Sequence, residues 1–203
     1  MERKAHWDHA YETNPPNDVS WFQQEPTLSL RLIAQTGVKK AGGIIDVGGG
    51  ASVLVDRLLA AGFENIAVLD ISGAALKHAR TRLGPRAEKV AWFEADITAF
   101  RTPRHFAVWH DRAVFHFLTD PSDRQKYVEC LRQCLTPDSH VIIATFAADG
   151  PQKCSGLAVA RYDAPTISAE MGTDFKLIEQ VDETHVTPWN TQQTFSYFRF
   201  TRK

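Results

Sequence analysis

Short apolar runs alternate with amphipathic segments through the middle of the chain. The short runs contain many β-branched residues, which predicts buried strands. They fall at 43–47, 66–70, 90–94, 106–109 and 141–146. The segments between them have helical periodicity and end-capping residues, and they predict helices at 51–61, 72–83 and 121–135. Strands that alternate with helices indicate a parallel sheet covered on both faces.

The two ends of the chain depart from this alternation. Helices are expected at 7–12 and 25–35, with a turn-forming segment at 14–18 between them. Near the C-terminus, a short helix at 163–171 precedes two apolar runs at 175–181 and 194–200. Only a loop at about 185–192 separates these runs, too little chain for a crossover helix, so they should pair antiparallel. The predicted fold class is α/β, a three-layer sandwich of five parallel strands plus a C-terminal antiparallel hairpin, with helices on both faces.

The composition is that of one globular domain. The 203 residues are 43% hydrophobic, enough for a single buried core, so one domain is expected over 1–203. The net charge of −1 gives no basic footprint and argues against a nucleic-acid partner. The charged N-terminus lacks a signal-peptide core, and no apolar run reaches the roughly 20 residues that span a membrane. We therefore expect a cytoplasmic protein with reduced cysteines and no membrane partner. The sequence does not define its oligomeric state.

A glycine-rich loop, Asp46-Val47-Gly48-Gly49-Gly50-Ala51-Ser52, joins the first predicted strand to the helix that follows. Glycines here let the backbone turn tightly and approach a ligand, toward which the helix amides then point. A dinucleotide site calls for a glycine at the position of Val53, and a P-loop calls for Lys followed by Ser or Thr. Neither is present. The Asp46 carboxylate would repel a pyrophosphate but would attract a ligand that carries an ammonium and a sulfonium.

Acidic residues also end the next two predicted strands. Asp70 lies 20 residues after Gly50, where a carboxylate can accept hydrogen bonds from both ribose hydroxyls. Asp96 follows the third strand and can accept from an adenine amino group, while Ile71 and Ile97 can enclose the ring. Each acid alone could instead cap a helix. Acids at the ends of three successive strands favour a nucleoside site.

These motifs together resemble the class I, seven-strand, Rossmann-like S-adenosylmethionine-dependent methyltransferases. The glycine loop matches the first motif of that family, Asp70 the second, Asp96-Ile97 the third, and Val108-Trp109-His110-Asp111-Arg112 the fourth, which passes the methyl group. Many members have glycine where this chain has Ser52. The resemblance implies S-adenosyl-L-methionine as cofactor and S-adenosyl-L-homocysteine as product. The cofactor-binding residues that it implies in the core are Asp46, Gly48, Gly49, Gly50, Ser52, Asp70, Ile71, Asp96, Ile97 and Asp111.

The N-terminal segment is similar to that of a subgroup of small stand-alone methyltransferases. The pattern Trp7-Asp8-x-x-Tyr11, followed by Ser20-Trp21-Phe22, implies a helical lid whose Trp7, Tyr11 and Trp21 contact the cofactor. Packing of this helix on the sheet edge is the alternative. On this basis 1–40 is expected to be the lid, 41–146 the cofactor-binding core, and 147–203 a substrate-side loop followed by the hairpin.

The segment 110–116 supplies the candidate catalytic residues. Methyl transfer from a sulfonium needs mainly orientation, and a base only when the acceptor must lose a proton. His116 is the candidate base, although a histidine among apolar residues more often belongs to the core. Asp111 is expected to point toward the cofactor or the substrate. Arg112 is expected to hold a substrate carboxylate or to pair with a nearby acid.

The remaining residues with chemical potential are fewer. His185 and Trp189 are expected in the hairpin loop on the substrate side, and Cys154 is expected to line the substrate pocket. Cys130 and Cys134 lie four residues apart on one predicted helix, and we interpret them as buried apolar residues rather than metal ligands. No metal site is predicted.

The favoured function is methyl transfer to a small-molecule acceptor, because the chain is compact and has no separate substrate domain. A protein-lysine methyltransferase is the main alternative, suggested by the N-terminal resemblance, although the cationic Arg112 disfavours a lysine acceptor. An NAD(P)-dependent reductase is disfavoured by Val53 and by the missing Tyr-x-x-x-Lys pattern. A non-catalytic protein that binds the cofactor is the fourth hypothesis.

Overall fold

The computed structural model describes residues 2–203 and contains a central seven-stranded sheet. Its strands are β1 Ile44–Val47, β2 Ile66–Asp70, β3 Val90–Glu94, β4 Phe106–Arg112, β5 Leu135–Phe146, β8 Phe175–Val186 and β9 Gln192–Arg202; a separate small hairpin pairs β6 Lys153–Cys154 with β7 Leu157–Ala158. The order is β3-β2-β1-β4-β5-β9-β8. Strands β1 to β5 are parallel, and β9 is antiparallel to β5 and β8. The predicted α/β class with five parallel strands and a terminal hairpin is confirmed.

Helices cover both faces of this sheet. They are α1 Glu2–Thr13, α2 Thr27–Gln35, α3 Leu54–Ala60, α4 Gly73–Leu83, α5 Pro121–Cys134 and α6 Ala164–Met171. Side chains of α5 and α6 share one hydrophobic cluster, and those of α2, α3 and α4 share another. Because side chains alternate along β1, Ile45 and Val47 enter the first cluster and Ile44 the second. Among the described residues, no helix combines the length and apolar character needed to cross a membrane.

Side-chain caps fix where several helices begin. Ser72 Oγ accepts a hydrogen bond from the Ala75 amide at the start of α4, and the Asp120 side chain accepts from the Ser122 amide at the start of α5. Both caps lie where the sequence predicts that a helix begins. Asp163 begins α6 with a capping box.

Several element bounds differ from the sequence predictions. Helix α1 begins at Glu2 rather than near residue 7, and α3 begins at Leu54 rather than 51. The later start of α3 follows from a turn in which the Ser52 amide donates to the Gly49 carbonyl at 2.8 Å. Strand β4 continues to Arg112, three residues beyond its predicted end. The hairpin strands are also longer than predicted, and they reduce the loop between them to 187–191.

Candidate active site

Two cavities lie at the carboxyl ends of the strands, near the place where the strand order reverses between β1 and β4. Ligands bind at this point in open α/β sheets. Cavity A has a volume of about 810 Å³ and cavity B a volume of about 560 Å³, and both values include space that is open to solvent. Tyr11, Trp21, Val47, Gly48 and Arg112 line both, so the two cavities meet at these residues.

The glycine loop forms the floor where the cavities meet. Gly48 has a φ of +68°, a conformation that L side chains rarely adopt, and its amide donates to the Leu69 carbonyl at 2.7 Å. A Cβ at Gly50 would lie 2.5 Å from Asp70 Oδ2, so only glycine lets the loop pass this carboxylate. Ser52 lines cavity B and its Oγ accepts from the Leu54 amide at 3.1 Å.

Asp70 is the buried carboxylate at the end of β2 and lines cavity A. Its Oδ1 accepts from the Ser72 amide at 2.8 Å. Burial raises the pKa of Asp70 to about 7, against the opposing effect of backbone hydrogen bonds from Ser72 and Gly50. The carboxyl group therefore titrates near neutral pH, unlike an exposed aspartate.

The predicted adenine-binding residues lie together in cavity A. Ile71, Asp96 and Ile97 all line it. Asp96 Oδ1 accepts from the amide and the hydroxyl of Thr98, at 2.8 and 2.7 Å, which closes a local turn. Its Oδ2 lies 3.8 Å from Arg3 Nη1. Asp96 Oδ1 is therefore occupied by hydrogen bonds within its own turn, whereas Oδ2 faces Arg3 of α1.

Asp46 lines cavity B and lies within β1, as its place in the predicted strand at 43–47 implies. Its Oδ1 is 2.7 Å from His110 Nδ1, and His110 Nε2 is 2.9 Å from Ser29 Oγ. Asp46 Oδ2 is buried and has no hydrogen-bond partner. An unpaired buried carboxylate oxygen is costly and indicates a site for a ligand donor.

One face of α1 covers cavity A. Arg3, Trp7 and Tyr11, four residues apart, all line it, as expected for positions on one side of a helix. The rings of Trp7 and Trp21 pack edge to face at 5.6 Å, and Trp21 Nε1 donates to the Tyr11 hydroxyl at 3.0 Å. The three predicted N-terminal residues therefore meet over the cavities.

Polar contacts hold α1 against the sheet. Ser72 Oγ donates to Asp8 Oδ1 at 2.7 Å, directly at the start of α4. Lys4 Nζ bridges Asp8 at 2.6 Å and Glu94 at 3.0 Å. These contacts join α1 to the ends of β2 and β3, the strands that carry the predicted nucleoside site.

Arg112, at the end of β4, connects the cavities to the C-terminal hairpin. Its Nε donates to the Tyr197 hydroxyl and its Nη1 to the Trp21 carbonyl, both at 3.0 Å, and its guanidinium lies 4.3 Å from the Phe195 ring centre. Nη2 lies 4.0 Å from Glu183 Oε2, beyond hydrogen-bond distance, and is buried without a hydrogen-bond partner. The prediction that Arg112 pairs with a nearby acid is met only by this long contact.

Asp111 does not point toward the cavities, contrary to the sequence prediction. Because β4 continues through Arg112, side chains alternate there, and Asp111 faces the same side as Trp109. The Asp111 carboxylate accepts from the Tyr127 hydroxyl at 2.7 Å and from the Val114 amide at 2.8 Å. Burial raises its pKa to about 6 despite these bonds. Asp111 is a buried residue that lines neither cavity, so its contacts do not support the predicted roles in cofactor binding and catalysis.

His116 also lies in the core rather than at the cavities. The side chain is fully buried against Phe117 and Phe146, with ring centres 4.4 and 5.0 Å away. Its Nδ1 accepts from the Phe146 amide at 3.4 Å, and its Nε2 has no partner. Burial, together with the charge of Arg112, lowers the pKa of His116 to about 3. A histidine that holds protons so weakly and lines neither cavity is a poor general base, so the prediction of catalysis is not supported.

Replacement of His116 by glutamine tests this reading through stability. In the wild type the folded protein keeps His116 neutral down to about pH 3, whereas the unfolded chain gains a proton below about 6.5. Stability from this group is therefore lost as the pH falls from 6.5 toward 3. The His116→Gln variant should lack this loss, so its melting temperature relative to wild type should rise between pH 7.5 and pH 5. A calorimetric difference that does not change with pH would contradict it.

Other predicted residues fall outside the cavities or have different surroundings. His185 lies in β8, not in a loop, and its Nε2 is 2.7 Å from the Ser20 carbonyl oxygen. Trp189 is 59% exposed, and neither residue lines cavity A or cavity B. Cys154 is buried and lines cavity A, as expected. Cys130 and Cys134 are buried, and residues 2–203 contain no cluster of three metal-ligating side chains.

Arg3 and Phe117 are among the residues that line cavity A but were not predicted from the sequence. Arg3 precedes the predicted start of the first helix, so its position one turn before Trp7 was not recognised. Phe117 packs edge to face on Trp7 with ring centres 5.0 Å apart. The apolar stretch after β4 was the signal that could have indicated it.

Comparison with known proteins supports the interpretation of this geometry. Residues 44–138 match a family model described as a methyltransferase domain. A search of curated proteins gives no match.

Three solved structures illustrate the likeness in fold. One is a protein from work on the conversion of a disulfide bond into a thioacetal group during echinomycin biosynthesis, with a TM-score of 0.78 and 15% identity over 98% of this chain and 91% of that one. The N-methyltransferase NodS from Bradyrhizobium japonicum WM9, in complex with S-adenosyl-L-homocysteine, has a TM-score of 0.72 and 19% identity over 96% and 97% of the two chains. The glycopeptide N-methyltransferase MtfA, complexed with S-adenosyl-L-methionine, has a TM-score of 0.67 and 12% identity over 94% and 100%.

The chain shares the fold of these solved methyltransferases, and its residues 44–138 match a methyltransferase domain. Both findings agree with the resemblance inferred from the sequence motifs.

Proposed function

We propose that the protein transfers a methyl group from S-adenosyl-L-methionine to a small-molecule acceptor. The observation that carries the proposal is the arrangement of Asp46, Asp70 and Asp96, which line two cavities that meet over the glycine loop. Asp70 would accept from the ribose hydroxyls, and Asp96, with Ile71 and Ile97, would hold the adenine. Likeness to NodS and MtfA, crystallised with the product and the cofactor, supports this assignment.

The bound cofactor would supply an activated methyl group on a sulfonium. The chain would contribute orientation and exclusion of water, which are the main requirements of a methyl displacement. Trp7, Trp21 and Tyr11 form the cover over the place where the cavities meet. No proton transfer is assigned to Asp111 or His116, because both are directed into the core.

We assign the acceptor to an apolar part of cavity A. Trp7, Phe117, Leu118 and Cys154 line this cavity, and none of them carries a charge. Such a surface suits a compact organic molecule with an apolar or aromatic group better than a cationic lysine side chain. This favours a small-molecule acceptor over a protein lysine.

A methyl-release assay tests the proposal. Protein with S-adenosyl-L-methionine labelled in the methyl group should transfer label to a fraction of pooled metabolites. Label that enters only lysate protein would favour the protein-lysine alternative. Cofactor binding without transfer to any fraction would favour a non-catalytic role.

Replacement of Trp7 by alanine should impair acceptor use once an acceptor is known. Removing the ring opens the apolar wall and the cover, so we expect KM for the acceptor to rise about tenfold or more. Trp189→Ala is the matched control, because Trp189 is 59% exposed on the hairpin loop and lines neither cavity. Steady-state kinetics with both variants measure the effect. Equal KM values for Trp7→Ala and wild type would contradict the assignment.

A further inference from the structure

Two side chains of opposite charge that line cavity B each have one buried polar atom without a hydrogen-bond partner. These atoms are Asp46 Oδ2 and Arg112 Nη2. The two side chains are only 3% and 11% exposed. Buried charged groups are normally fully paired, because an unmade hydrogen bond costs the full desolvation of the group. Two such atoms on side chains that line one cavity indicate a ligand that carries both a cation and an anion.

The fold has already engaged the other polar atoms of both side chains. Asp46 Oδ1 lies 2.7 Å from His110 Nδ1, which fixes the carboxylate. Arg112 donates through Nε to Tyr197 and through Nη1 to the Trp21 carbonyl, which fixes the guanidinium. Both groups are thus held in place by neighbours, and each has one atom left for a ligand.

Glu183 does not satisfy the free nitrogen of Arg112. Its Oε2 is 4.0 Å from Nη2, and the same oxygen accepts from the Gln23 amide at 3.0 Å and the Tyr197 hydroxyl at 3.1 Å. Glu183 therefore balances part of the positive charge without making the hydrogen bond. A ligand carboxylate at Nη2 would form a charge-assisted bond.

We propose that Arg112 binds the carboxylate of the amino-acid end of S-adenosyl-L-methionine. The ammonium would then lie at Asp46 Oδ2, as already expected for the acid beside the glycine loop. The assignment rests on the proposed function and deepens it. It moves Arg112 from the acceptor, where the sequence placed it, to the cofactor. The cofactor would then extend from the nucleoside residues of cavity A into cavity B across the residues that both share.

The same arginine links cofactor binding to the cover. Arg112 Nη1 donates to the carbonyl of Trp21, whose ring donates in turn to the Tyr11 hydroxyl. A carboxylate on Nη2 would further immobilise the guanidinium and, with it, Trp21. The cover should therefore become more rigid with ligands that carry the carboxylate than with ligands that lack it.

Three ligands separate the contributions of the two charged residues. S-adenosyl-L-homocysteine carries the ammonium and the carboxylate, its decarboxylated analogue carries only the ammonium, and 5′-methylthioadenosine carries neither. Arg112→Gln should weaken binding of S-adenosyl-L-homocysteine about ten- to a hundredfold. The same variant should change binding of the other two ligands by less than about threefold. Asp46→Asn should weaken the first two ligands and spare the third.

Each comparison is made between ligands within one variant, so a fraction of unfolded protein cancels. Arg112→Lys is a second variant that keeps the charge if Arg112→Gln does not fold. Arg199→Gln is the matched control, because Arg199 is 13% exposed, pairs with Glu179 at 3.0 Å and lines neither cavity. It should leave all three affinities unchanged.

Calorimetric titration gives the affinities, and hydrogen exchange over residues 14–26 gives the rigidity of the cover. Protection of this segment should increase more with S-adenosyl-L-homocysteine than with 5′-methylthioadenosine in the wild type, and this difference should vanish in Arg112→Gln. Equal weakening of all three ligands, or no weakening of any, would overturn the assignment while leaving the proposed function intact. A wild type that binds none of the three would overturn both.

Discussion

Replacement of Asp70 by asparagine is expected to weaken binding of S-adenosyl-L-homocysteine at pH 8 by about 1–3 kcal/mol, because a neutral amide accepts the ribose hydroxyls less strongly than a carboxylate. The same change is expected to make the fold more stable at pH 8. Burial raises the pKa of Asp70 to about 7, so its ionised form is costly in the folded protein. Loss of affinity with a gain in stability is the expected signature of a binding residue.

The sign of the stability effect follows from proton linkage. Between pH 3.8 and about 7 the folded protein binds the Asp70 proton more tightly than the unfolded chain. The stability that this group contributes is therefore present at low pH and is lost as the pH rises through 7. Asp70→Asn should lack this loss. The difference in melting temperature between the variant and wild type should therefore be large at pH 8 and small near pH 4. Calorimetric melting at both pH values measures it.

The control for this experiment is Asp138→Asn, because Asp138 is exposed and lines neither cavity. It should change neither affinity nor the pH dependence of stability. An Asp70→Asn variant that binds the ligand as tightly as wild type would show that Asp70 serves only the start of α4, through its bond to the Ser72 amide.

Replacement of Asp111 by alanine should destabilise the fold by about 3 kcal/mol, and so lower the melting temperature by roughly 6–12 °C. The change leaves the buried Tyr127 hydroxyl and the Val114 amide without their acceptor. Tyr127→Phe should have a smaller effect, and the double variant should be less destabilised than the sum, because the two side chains share one bond. Chemical denaturation of the four proteins measures these differences.

Normal stability combined with lost turnover would instead support a catalytic role for Asp111. A variant that folds as stably as wild type but loses turnover would place the carboxylate in the chemistry. The cofactor affinity of folded Asp111→Ala should stay near that of wild type, since Asp111 lines neither cavity.

The sequence was sufficient to predict the sheet and the positions of Asp70 and Asp96 at the ends of strands, because both depend on local patterns. Strand β2 has the predicted bounds, and Asp70 lies at its end as expected. The glycine loop was also recognisable, since Gly48 and Gly50 meet backbone and steric demands that few other residues satisfy. Patterns of this kind are visible within about ten residues of chain.

The end of β4 could not be predicted in the same way. His110, Asp111 and Arg112 look like a polar loop, yet they continue a buried strand. Each has a hydrogen-bond partner in another element of the fold: Asp46, Tyr127 and Tyr197, respectively. The face of the sheet on which each side chain lies depends on the continuation of β4, and three successive polar residues hide that continuation in the sequence. For this reason the sequence did not reveal that Asp111 faces away from the cavities.

The most direct test of the account is calorimetric titration of the wild-type protein with S-adenosyl-L-methionine and, separately, with NADH. Binding of S-adenosyl-L-methionine at one site per chain with micromolar affinity, and no binding of NADH, is the predicted result. Micromolar binding of NADH with none of S-adenosyl-L-methionine would contradict the assignment of the cofactor site.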